Sequence, residues 1–200
     1  PDKNTVCIII GDVTGHGVSS ALVMAMAKAI VYQSVREGRD LANLFADLNR
    51  AIYAYFSRPP VRKMITLFAA TMDLATGKGL FVNAGHNFPI MLGADGSCTD
   101  LASVNLPVGA MKNIRRLDTC EFSLNPGATI VFYTDGLIEV TDPAKEQYGY
   151  SRLKDMLATR AALEPEKLAG DLMAAYDAWL AGGEPDDDVT LIILQRQAVV

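Results

Sequence analysis

The chain has 200 residues, half of them apolar and a fifth charged, which is material for one globular domain and gives no sign of general disorder. Its formal net charge of −5 argues against non-specific nucleic-acid binding, which needs a basic face. It does not exclude a phosphorylated substrate, because bound metal reverses the local sign of a site.

Pro1-Asp2-Lys3-Asn4 has turn chemistry, and Thr5 to Ile10 is a β-branched run that predicts a buried strand. A chain opening on a hairpin tip implies an N-terminally incomplete domain whose missing strand would pair with residues 5–10. After a glycine-rich loop, Ser19 to Arg36 reads as a helix with serine at its N-cap and Gly38 past its end. The longest apolar stretch, Ser20 to Tyr32, lies in this helix and is broken by Lys28, too short a run to cross a bilayer. With no signal peptide in view, the expectation is a cytoplasmic domain that makes no membrane contact. Asp40 caps a second predicted helix whose core face carries Leu41, Leu44, Phe45, Leu48, Ile52 and Tyr55.

Ser57 to Lys63 is a loop with two prolines and three basic residues, Arg58, Arg62 and Lys63, read as solvated. Strands follow: Ile65–Met72 and Gly79–Asn83 around an Asp73–Gly77 turn, Pro89–Leu92 with a short return after Gly93–Ser97, then Arg116–Leu124 and Ala128–Tyr133 flanking Asn125-Pro126-Gly127. Helices are predicted at Ser151–Ala162 and Pro165–Ala181, the second opening on proline and closed by Gly182-Gly183. A last strand runs Val189–Gln195. This order is not the alternation of a doubly wound sheet; it is that of a single α+β domain over residues 1–200, with antiparallel sheets carrying helices. Cys7, Cys98 and Cys120 are odd in number, far apart and in no ligand spacing, so they read as free thiols of a reducing compartment.

Three carboxylates stand at the ends of predicted buried strands: Asp12 before a glycine-rich turn, Asp135 before Gly136, and the run Asp186-Asp187-Asp188 before Val189. An isolated ionised carboxylate there is costly and calls for cations, and the neighbouring glycine leaves room for close approach. Converging aspartates with few histidines favour magnesium or manganese over zinc. Each element alone is weak. Asp135-Gly136 suits an ordinary turn and Asp186–Asp188 a solvated loop, while Gly11 to Gly17 lacks the spacing of a phosphate or dinucleotide loop.

Together with their order, Gly11-Asp12-Val13-Thr14-Gly15-His16-Gly17, Ala84-Gly85-His86-Asn87-x-Pro89, Leu106-Pro107-Val108-Gly109, Tyr133-Thr134-Asp135-Gly136 and Asp187-Asp188-Val189-Thr190 resemble the SpoIIE-type branch of the protein phosphatase 2C superfamily, across essentially the whole chain. The resemblance implies an antiparallel β-sandwich flanked by pairs of helices in four layers, with a site for two Mn2+ or Mg2+ ions. It assigns Asp12 as bridging ligand, the Val13 carbonyl as a second contact, and Asp135 and Asp187 as further ligands, with Asp188 the fallback for Asp187 and Asp186 in solvent. No residue is catalytic beyond metal-activated water; His16 is a weak candidate for proton donation, and His86 is read as bonding its own turn. The family's upstream Gly-Gly-Asp segment has no match here.

The function so implied is hydrolysis of phosphoserine or phosphothreonine in a signalling protein, a STAS-type anti-sigma-factor antagonist being the expected substrate. A sensor or receiver domain is expected upstream. The helix after Gly17 is the element through which that domain, or a homodimer contact, would shift Asp12. Two rivals are a degenerate, non-catalytic partner-binding domain and a phosphohydrolase of small esters.

Overall fold

The computed structural model describes residues 4–59, 62–114 and 116–197. The turn expected over Pro1–Asn4 thus falls, except for Asn4, outside the described residues, as do Pro60 and Val61 of the basic loop. The chain folds as two compact units: the first comprises residues up to His86 with Ala102–Ser123, the second Asn87–Leu101 with Leu124 onward. Each unit holds a four-stranded antiparallel sheet, which makes the class α+β as expected.

In the first unit β1 (Thr5–Val13), β2 (Ile65–Asp73), β3 (Lys78–Ala84) and β6 (Cys120–Ser123) pair in that order. Helices α1 (Val18–Arg36) and α2 (Leu41–Phe56) supply the rest. Val23 and Ala27 of α1 and Leu44, Phe45, Leu48 and Ile52 of α2 form one buried cluster with Ile65, Leu67 and Ala69 of β2. Each fully buried Leu, Ile or Phe contributes about 1.5–3 kcal/mol, so this cluster outweighs helix propensity in fixing α2. The expected cap holds: Asp40 accepts a 2.8 Å hydrogen bond from the Asn43 amide. Tyr55, predicted on the same face, is instead 76% exposed. At α1 the cap expectation is corrected. Gly17 is the N-cap, at φ 89°, with no side-chain bond, and the Ser20 hydroxyl donates back to the Gly15 carbonyl at 2.9 Å.

Against the expected run too short to span a bilayer, the 19-residue α1 holds an 18-residue window of mean hydropathy 1.4, long and apolar enough to cross a membrane by those measures alone. Lys28 does not lower the average sufficiently to exclude it.

The strand expected from Arg116 starts only at Cys120. The Asn105 side chain explains the delay, accepting from the Asp118 amide at 2.8 Å and donating to its carbonyl at 3.1 Å. A side-chain clamp thereby replaces ladder pairing just ahead of β6.

In the second unit the order is β5 (Cys98–Asp100), β4 (Ile90–Leu92), β7 (Thr129–Tyr133), β8 (Leu191–Gln195). Every residue of β7 is buried, as expected of a central strand with a continuous apolar run. The Asn125-Pro126-Gly127 turn does not close a hairpin: β6 pairs with β3, whereas β7 pairs with β4 and β8. Helices α4 (Tyr150–Ala158) and α5 (Pro165–Leu180) bury Leu153, Leu157, Leu168 and Leu172 against Ile90, Leu92 and Val131. A one-turn helix not expected from the sequence, α3 (Gly136–Glu139), follows Asp135.

Candidate metal centre

Asp12 is the penultimate residue of β1 and stands opposite Thr66 in the ladder. Its carboxylate accepts the Val13 amide at 2.8 Å. Ahead of it, Gly11 has no room for a side chain, since a Cβ there would lie 2.6 Å from the Thr66 carbonyl. Behind it the chain turns through Gly15 and Gly17, both at positive φ, where glycine is the unstrained residue.

The Thr14 turn is fastened to the start of β2. Its amide donates to the Met64 carbonyl at 3.0 Å, and its hydroxyl accepts the Met64 amide at 3.1 Å. Lys63 adds a third tie, its ammonium donating to the Thr14 carbonyl at 2.7 Å. Reading Lys63 as part of a solvated loop is therefore corrected. The cation is half-buried and committed to the backbone next to Val13.

The histidines separate. His16 is exposed on the glycine loop. His86 is 6% exposed and bonds its own turn: its amide donates to the Asn83 side-chain oxygen at 2.8 Å, and its carbonyl accepts from the Asn83 side-chain nitrogen at 2.9 Å. Its Nδ1 lies 3.2 Å from the Thr66 hydroxyl, so its contacts are structural.

In the second unit Asp135 ends the approach from β7. One of its oxygens accepts the Gly136 amide at 3.0 Å, which starts α3. Asp187, in the exposed turn before β8, accepts the Asp188 amide at 2.7 Å. Thr134 joins the two segments: its amide and hydroxyl pair with Thr190, at 3.1 and 2.9 Å, and the hydroxyl also donates to the Asp188 carbonyl at 3.3 Å. Gly136 lets that carbonyl in, because a Cβ there would sit 2.5 Å from it. The sequence alone gives Thr134 no role. Only its cross-connection to residues 188 and 190 shows one.

The result is that Asp135 and Asp187 carry carboxylate oxygens within 4.8 Å of each other. Among the described residues neither pairs with a lysine or arginine. Two such oxygens at short range repel unless a cation lies between them, and an all-oxygen donor set suits a hard divalent ion. These residues fit the expected metal. Asp186 and Asp188 have exposed side chains outside this pair.

The family model described as Stage II sporulation protein E (SpoIIE) matches residues 2–197. The chain belongs to the SpoIIE family. Among its relatives, the phosphoserine phosphatase RsbP of Bacillus subtilis (strain 168) is 28% identical over 180 residues, covering 88% of this chain and 43% of RsbP. The crystal structure of the RsbU and RsbW domains of Rv1364c from Mycobacterium tuberculosis superposes with a TM-score of 0.80 at 27% identity, over 98% of this chain and 53% of that one. RsbX in complex with magnesium shares the fold at a TM-score of 0.70 and 13% identity, over 96% of this chain and 82% of RsbX. The SiaA-PP2C domain of Pseudomonas aeruginosa superposes with a TM-score of 0.84 at 21% identity, over 98% of this chain and 77% of that one, which establishes a fold of the protein phosphatase 2C type. The SpoIIE-family chain spans less than half the length of RsbP.

Proposed function

We propose that this chain is the hydrolytic part of a metal-dependent phosphoserine or phosphothreonine protein phosphatase. The carboxylate pair of Asp135 and Asp187, set in a SpoIIE-family match over residues 2–197, carries the reading. Asp12, the Val13 carbonyl, Asp135 and Asp187 would ligate two Mn2+ or Mg2+ ions, a choice supported by the oxygen donors and by the magnesium of RsbX. Bound there, the ions would activate a water and offset the charge of the phosphoryl oxygens.

The protein's own residues supply placement. Thr134 and Gly136 hold the Asp187 turn against Asp135, and Lys63 with Met64 fixes the turn after Val13. No side chain is required as a catalyst beyond metal-activated water; of the two histidines, the exposed His16 is the weak candidate for proton donation to the leaving oxygen. By likeness to RsbP, a phosphoserine phosphatase, the substrate carries phosphoserine, and we assign it to the STAS-type anti-sigma-factor antagonist proteins. The setting is cytoplasmic, under a sensor or receiver domain upstream or through a homodimer contact.

Phosphate release from a phosphoserine protein by the full-length enzyme tests this. Release should require Mn2+ or Mg2+ and fall about 100-fold or more in Asp135→Asn. No release with either ion present overturns the enzyme reading. Equal or better turnover of p-nitrophenyl phosphate would instead point to small esters.

A further inference from the structure

Within the first unit a groove runs between α2 and the 104–118 segment. It is made of three adjoining depressions of about 520, 190 and 300 Å3. Arg50, Lys112 and Asn113 line both the first and the second. Asn49, Asn113 and Ile114 line both the second and the third. The depressions are therefore continuous.

The two ends differ in chemistry. The first holds Arg58, Arg50 and Lys112 beside Tyr53. Arg50 is bound to Asp47 at 3.2 Å, but Arg58 and Lys112 are exposed and form no ion pair among the described residues. Unpaired cations gathered in one cleft of a chain with net charge −5 favour an acidic partner by charge complementarity. The third depression is apolar, with Val104 83%, Leu106 60% and Met111 49% exposed on or beside it.

The groove is also tied to the Asp12 turn. Just past Arg58 in the chain, Arg62 donates to the Ala110 carbonyl at 3.4 Å and Lys63 to the Thr14 carbonyl at 2.7 Å. The same stretch of chain thus serves the basic end of the groove and the backbone beside Asp12.

We infer that this groove docks an extended segment of the protein substrate, acidic where it meets Arg58 and Lys112 and apolar where it meets Leu106 and Met111. The inference rests on the phosphoprotein reading above, since a small ester would need no such groove.

Anisotropy of two labelled peptides on the full-length protein tests it, one with an Asp/Glu-rich half and a Leu/Ile half, the other with Asn/Gln replacing the acids. The acidic peptide should bind about five- to tenfold more tightly, the worth of two exposed ion pairs, and lose that margin at high salt. Arg58→Gln with Lys112→Gln should abolish the margin, and Met111→Asp should weaken both peptides. All three positions are exposed, and an unchanged unfolding midpoint confirms that the variants fold. No preference in the wild type, or a preference that survives the double substitution, overturns the groove. Phosphate release from a phosphoserine protein is measured in parallel: peptide preference without any release sinks the phosphatase reading alone, and release without preference sinks the groove alone.

Discussion

Lys63 stands between Arg62 and Met64 in a stretch whose composition says only that it is basic and irregular. Its ammonium nevertheless ends 2.7 Å from the Thr14 carbonyl, a charge-assisted hydrogen bond on backbone that adjoins the proposed Val13 ligand. Lys63→Met keeps the stem and removes the bond, which should cost about 1 kcal/mol of stability. It should also raise the Mn2+ concentration that half-saturates the protein by about fivefold, read by calorimetric titration. An unchanged titration would show that the Thr14 turn holds its shape without the lysine. The aspartates themselves were legible in the sequence, because a carboxylate at the end of an apolar run beside glycine is an expensive arrangement with few uses. Lys63, Thr134 and Thr66 were not. Their roles lie in partners 49, 54 and 56 or 20 positions away, which no local pattern reports.

Helices show the same division. Asp40 was readable as a cap from its own chemistry, and Asp40→Ala should lower stability by about 1 kcal/mol in denaturant titration; a loss within error would mean that the α2 cluster alone fixes the helix start. The buried face of α2 was readable from spacings of three and four. Tyr55 has the right angular position for that face but stands in the last turn, and periodicity gives direction without saying where packing ends. The Ser19 expectation failed because glycine at φ 89° with no side-chain cap occupies the N-cap instead. β6 and β7 were each visible as strands, yet the turn between them carries no mark of which sheet each joins. The short α3 forms because Asp135 caps it locally, in a stretch too short for periodicity to register.

At the scale of the molecule, several weak acids have been moved in one direction. Burial raises the Cys7 thiol in the first unit above its ordinary 9.0. In the second, burial raises the Tyr133, Tyr148 and Tyr176 hydroxyls above 10.0, and raises Tyr150 with help from its bond to Asp100. Each folded pKa lies above the unfolded one, so the folded chain holds these protons more tightly. Stability from these groups is full below about pH 9 and is lost as pH rises through the thiol and phenol range. The unfolding midpoint should be flat from neutrality to about pH 8.5 and fall beyond it, with a shallower fall in Tyr133→Phe. A midpoint independent of pH up to about 11 would contradict this.

The connectivity of the two units has a consequence for how the chain is made. The β4–β5 hairpin of the second unit lies between stretches of the first, and β6 completes the first sheet only after it. A ribosome therefore delivers each sheet in instalments. β1 to β3 emerge and must wait for residues 120–123, while β4 waits for β7, and β7 for β8 near residue 191. Asp187 arrives just before that closing strand, so the acidic pair on which the proposed chemistry depends can form only after every described element except β8 has been translated.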